Sequence, residues 1–132
     1  MKITADTNVL LRLILSDDEA QSLVATHVLE RASLVAISVH SLCELAWVLG
    51  TRNAMPRDRI AAAIRRLVEA RHVVVNRPAV QAGLDVLDEG GDFADGVIAF
   101  DGRWLGGETF VSFDRKAAKL LKGRGFATQL LS

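Results

Sequence analysis

The chain has 132 residues, half of them apolar and 24% charged, and its 16 basic and 16 acidic side chains cancel to a formal net charge of zero. That composition excludes a disordered or low-complexity chain, and the length suits a single domain, 1–132, burying roughly two thirds of its unfolded surface. One cysteine, Cys43, excludes an intrachain disulfide, no apolar run reaches the roughly 18 residues of a membrane span, and zero net charge gives no global pull towards nucleic acid or lipid.

The first predicted element is a short buried strand over 2–5, followed by a helix over 7–15. Ser16-Asp17-Asp18-Glu19 has capping-box spacing and predicts Ser16 as the cap of a helix reaching Arg31. A second strand is predicted over 34–38, after which Ser38 or Ser41 caps a helix that Gly50 ends. Pro56 opens a helix to about Arg71, with Ile60, Ile64, Leu67 and Val68 at helical spacing. Val73 to Val75 reads as a strand and Pro78 to Leu87 as a helix, with Gly90-Gly91 breaking the chain. Then come a helix over 93–105, a strand over 109–113, a short helix over 115–121 ended by Gly123, and an edge strand around Phe126 to Thr128. Short strands alternating with helices predict an α/β fold with a mainly parallel sheet of four to five strands. The polar start Met1-Lys2-Ile3-Thr4 does not resemble a signal peptide, so a cytoplasmic protein is expected.

Acidic residues interrupt apolar segments at four places. Asp6 follows Ile3-Thr4-Ala5, Glu44 lies within Leu42-Cys43-Glu44-Leu45, Asp95 precedes Gly96-Val97-Ile98, and Asp114 closes Phe110-Val111-Ser112-Phe113. Such surroundings predict burial, and buried carboxylates need a partner. Asp6 and Asp114 fall at carboxyl ends of predicted strands, Glu44 follows the second strand by two helical turns, and ligands of parallel α/β folds collect along that rim. A divalent ion such as Mg²⁺ or Mn²⁺, which takes oxygen ligands, would relieve the repulsion. Thr7 and Asn8 stand at the first helical turn, Ser112 points to the same side of its strand as Asp114, and Asp92 lies three residues before Asp95. A structural account competes throughout, because Asp6, Asp92, Asp95 and Asp114 all suit helix N-caps and Glu44 suits a solvated helix face. Asp101 and the acids from Asp85 to Glu89 read as a solvated face. His27, His40 and His72 lack ligand spacing.

Ala5-Asp6-Thr7-Asn8-Val9-Leu10, Ser41-Leu42-Cys43-Glu44-Leu45-Ala46-Trp47, Asp92-Phe93-Ala94-Asp95-Gly96-Val97 and Val111-Ser112-Phe113-Asp114-Arg115-Lys116 together resemble the PIN-domain ribonucleases, and among them the VapC toxins of bacterial toxin–antitoxin pairs. The resemblance covers the chain from end to end and implies a three-layer α/β/α sandwich. It implies a metal-dependent endoribonuclease in which Asp6, Glu44, Asp95 and Asp114 bind Mg²⁺ or Mn²⁺ and catalyse hydrolysis. Asp92 is implied as an additional acid, and Thr7, Asn8 and Ser112 as supporting groups. Gly96 and Ser112 depart from the family's commoner Ala and Thr, the glycine weakening its helix by up to about 1 kcal/mol.

The resemblance further implies an antitoxin partner, homodimerisation, and contact with DNA only through the antitoxin. Apolar faces of the helices over 17–31 and 56–71 are candidate receivers of the antitoxin's tail. Arginines of the second of these helices, and the basic run Arg115, Lys116, Lys119, Lys122 and Arg124, are candidate RNA contacts. A phosphoacceptor domain is disfavoured because the middle strand ends in Ser38, and a phosphatase with a nucleophilic Asp because Asn8 stands two positions after Asp6. A PIN-fold interaction module, or an RNA-processing nuclease without a toxin role, remains the alternative.

Overall fold

Parallel strands cannot be joined by a tight turn, and the helices of this chain supply the crossovers that they require. A computed structural model describes all residues, Met1–Ser132, as a mixed α/β structure with seven helices and five strands, all pairing parallel. This is the α/β class expected from the alternating pattern. The strands hydrogen-bond as a group of three and a group of two, and contacts divide the chain into two compact units, Met1–Asn76 and Arg77–Ser132. No helix is long and apolar enough to cross a membrane.

The first unit holds β1 (Lys2–Thr4), α1 (Thr7–Ile14), α2 (Glu19–Arg31), β2 (Leu34–Ala36), α3 (Val39–Thr51), α4 (Arg57–Val68) and β3 (Val73–Val74). β2 is central, with Val35 opposite both Ile3 and Val73. Its core is built on Leu10, Leu42, Leu45, Leu49 and Ile64, all fully buried. α4 buries Ile60, Ala61, Ile64, Leu67 and Val68, so its apolar face is consumed by this core. α2 by contrast leaves Leu23, Val24 and Val28 exposed. The cap of α2 is Asp18, not Ser16: its carboxylate accepts from the Gln21 amide at 3.0 Å, a charge-assisted bond at the positive helix end. Ser16 lies two residues upstream, beside Asp17, which Arg12 reaches at 2.8 Å.

The second unit holds α5 (Arg77–Asp88), α6 (Phe93–Trp104), β4 (Thr109–Ser112), α7 (Arg115–Gly123) and β5 (Ala127–Leu130). Val86, Ala99 and Leu121 form a buried cluster on which Phe110, Leu120 and Phe126 pack. Arg103 covers the other side of Phe126, 3.8 Å from the ring centroid. β5 is a full strand paired along the whole of β4, and it starts one residue later than the expected edge strand. α7 runs through Gly123, and the left-handed turn after it is made at Gly125, φ +90°.

Candidate active site

In the first unit the turn from β1 into α1 presents Asp6. Its backbone is extended, and its carboxylate accepts from the Val9 amide at 3.1 Å, capping α1. Thr7 and Asn8 are the first residues of α1, Thr7 half-buried and Asn8 exposed. Glu44 lies on α3, whose buried stripe is Leu42, Leu45 and Leu49; the helical repeat of 3.6 residues turns Glu44 away from that stripe, and it is exposed.

In the second unit two helix starts carry three acids. Asp92 precedes α6, its carbonyl accepting from the Asp95 amide at 3.1 Å, and its side chain makes no cap bond. Asp95 sits half-buried in the first turn. Asp114 caps α7 by accepting from the Ala117 amide at 3.0 Å, while its own amide donates to the Ser112 hydroxyl at 2.9 Å. Ser112 thereby fixes the turn that aims Asp114.

These positions correct the expectation of buried acids. No charged side chain is buried in this protein, and Asp6, Glu44, Asp92 and Asp114 are all exposed. Apolar neighbours in sequence misled because a helix start or an outward helix face lets one carboxylate escape a run that is otherwise core. Two of the acids, Asp6 and Asp114, make the helix caps that compete with a metal-binding role.

Asp95 is the electrostatic exception. A first-turn position ordinarily favours the charged carboxylate through the helix dipole. Burial pushes its carboxyl above the usual range instead, and the charges of Asp92 and Asp114 push it further. Mutually repelling negative charge on hard carboxylate oxygens fits a divalent cation in kind. The side chains as placed gather no group of three or more His, Cys, Asp or Glu able to hold one.

The basic residues divide in two. Arg124 pairs with Asp85 at 2.6 Å and Glu89 at 3.1 Å, clamping the end of α7 to α5, so this arginine is engaged within the protein and two of the supposedly solvated acids are its partners. Asp85, then Glu89, hold the Arg124 proton more tightly than usual. Arg115, Lys116 and Lys119 stay exposed on α7, whose inner face is Ala117, Ala118 and Leu121.

The PIN domain profile matches residues 3–122. The chain belongs to the PIN-domain family. PIN domains are generally metal-dependent nucleases, which supports a hydrolase acting on nucleic acid for this chain. No curated protein matches it. Within this PIN domain the sequence reading missed one feature next to the acids: Gly83 and Gly96, which let α5 and α6 approach closely. The signal was present as two glycines inside helices, where glycine is otherwise unfavourable.

Proposed function

We propose that this PIN domain is an endoribonuclease dependent on Mg²⁺ or Mn²⁺ and that it acts as the toxin of a toxin–antitoxin pair. The observation that carries the nuclease reading is the PIN-domain match over residues 3–122, with the mutually repelling Asp92, Asp95 and Asp114 at two helix starts of the second unit in keeping with it. On the family resemblance alone, Asp6, Glu44, Asp95 and Asp114 are proposed as the ion's ligands, with Asp92 adding negative charge. A divalent ion held by them would polarise the phosphoryl group and activate water for in-line attack. The protein's own contribution is to fix the carboxylates. Asp6 and Asp114 are held by their cap bonds and Ser112 steadies the second of these, while Asp95 is kept partly out of water, where its charge acts more strongly. Thr7 and Asn8, the first residues of α1, are the proposed contacts to a phosphate oxygen.

The toxin role rests on the resemblance of the four acidic segments to VapC proteins. An antitoxin helix would find its apolar seat on α2, where Leu23, Val24 and Val28 are exposed, and not on α4. The protein is proposed to act as a homodimer. The second reading, a catalytically idle interaction module, is favoured by one observation: capping alone accounts for Asp6 and Asp114.

The test is cleavage of a structured RNA by the purified chain with Mn²⁺ or Mg²⁺. Cleavage that stops with EDTA and in Asp95→Asn supports the proposal; cleavage surviving either change refutes the metal mechanism. Expression alone in a bacterial host should arrest growth with the wild type and not with Asp95→Asn. Unimpaired growth with active soluble enzyme would leave an RNA-processing nuclease without a toxin role.

A further inference from the structure

We propose that Phe113 is a stacking platform that holds a base of single-stranded RNA beside the acidic centre. The inference rests on the nuclease reading and deepens it by naming a residue that positions the substrate. Phe113, in the bend that follows β4, is 74% exposed; within β4 Val111 is 50% exposed, whereas Phe110 packs against Val86, Ala99 and Leu121. The ring is therefore not needed by the core.

Its backbone is nonetheless held firmly. Ser112 accepts from the Asp114 amide and Asp114 caps α7, so Phe113 lies between two residues tied to each other and to a helix. A flat ring carried on a fixed backbone is a surface to which a partner can add with little backbone ordering. The chemistry around it selects the partner. Phe113 precedes a proposed metal ligand by one residue, and the exposed cations Arg115, Lys116 and Lys119 follow on α7. Bases stack on exposed aromatic rings while lysine and arginine follow the phosphates, a combination that suits single strands and tolerates any sequence. In duplex RNA the bases are already stacked and cannot reach such a ring. Trp104 and Leu105 are more exposed still, at 83% and 85%, but they lie at the far end of α6 from Asp95, and the neighbouring Arg103 is occupied by Phe126.

The experiment measures binding of a labelled single-stranded oligoribonucleotide, and of the same sequence as a duplex, to the full chain in EDTA at low salt. Phe113→Leu, which keeps the apolar bulk but not the ring, should weaken single-strand binding about tenfold and leave duplex binding unchanged. Phe113→Trp should bind at least as well as the wild type. With Mn²⁺ present, the Phe113→Leu loss should appear in KM more than in kcat. Wild-type affinity in Phe113→Leu, equal losses on both RNAs, or a Phe113→Trp chain as weak as Phe113→Leu would overturn the inference. So would a wild-type chain that binds neither RNA, or a Phe113→Leu chain that changes its association state but keeps its RNA affinity. Single-strand binding that depends on the ring, in a chain that cleaves nothing, would sustain the platform and refute the nuclease.

Discussion

Where α5 meets α6, Gly96 lies so near Gly83 that a Cβ added to Gly96 would stand 2.8 Å from the Gly83 Cα, and it would strike the Ala82 carbonyl as well. Both obstacles are backbone and cannot rotate aside. Gly96 is therefore a packing requirement of the helix that carries Asp95, and the weakening of that helix by glycine is offset by the close approach. Helix propensity alone favours Gly96→Ala by about 1 kcal/mol, whereas overpacking costs about 1–3 kcal/mol, and a backbone clash belongs at the upper end. The net expectation is a loss of about 2 kcal/mol. Denaturant unfolding decides the matter: a Gly96→Ala chain more stable than the wild type would refute the close approach.

Asp95→Asn should stabilise the metal-free protein while abolishing cleavage. Burial, Asp92 and Asp114 raise the Asp95 carboxyl above its ordinary value of 3.8, so the folded chain binds this proton more tightly than the unfolded chain. Its favourable contribution is complete below that ordinary value and is lost as pH rises through the folded-state value. Thermal melting of wild type and Asp95→Asn in EDTA should consequently diverge as pH rises from 3.8 through the folded-state value, the variant becoming relatively more stable. Added Mn²⁺ should raise the wild-type midpoint and leave the variant unmoved. Parallel pH profiles would show that the crowding of charge has no energetic effect.

Capping and catalysis separate cleanly at Asp114. Asn caps a helix about as well as Asp, whereas Ala forfeits about 1 kcal/mol. Asp114→Asn should hence retain wild-type stability and Asp114→Ala lose about that amount, with cleavage falling to the same low level in both. The same contrast applies at Asp6, whose cap bond to Val9 has the same form. A fully active Asp114→Asn enzyme would reduce this carboxylate to a cap.

The two classes of basic residue should differ in salt dependence. Neutralising Arg115 or Lys119 should lower the slope of log affinity for single-stranded RNA against log salt by about 0.7 each, because each contact releases a counterion. Arg124→Ala should leave that slope unchanged, since its guanidinium is already spent on Asp85 and Glu89. A drop for Arg124→Ala equal to that for Lys119→Ala would redraw the RNA path.

The order and type of the elements were legible because strand and helix periods differ and because Ser38 and Pro56 punctuate them plainly, whereas Gly50 lies inside α3, which runs one residue past it. Boundaries slipped where neighbouring residues offered equivalent chemistry, as with Ser16 and Asp18 for one cap or Gly123 and Gly125 for one turn. All the site residues were visible as residues. What the sequence could not reveal was exposure, which depends on the side of a helix that the rest of the chain covers. Glu44 shows this best, flanked by core residues and itself in water. The Arg124 clamp was equally hidden, since its partners lie 35 and 39 positions away, a separation that no local pattern encodes.

The double duty of the capping aspartates bears on how chains of this kind decay. A descendant that abandoned hydrolysis would still need something to start α1 and α7, so selection for folding alone would preserve Asp, Asn, Ser or Thr at positions 6 and 114. Glu44 and Asp95 cap no helix, and Asp95 is held against its own titration preference, so drift would erase those two first. Among relatives, retained aspartates at the helix starts therefore say little about activity. If the proposed site is right, the presence of the other two acids is the better mark of a lineage that still cuts.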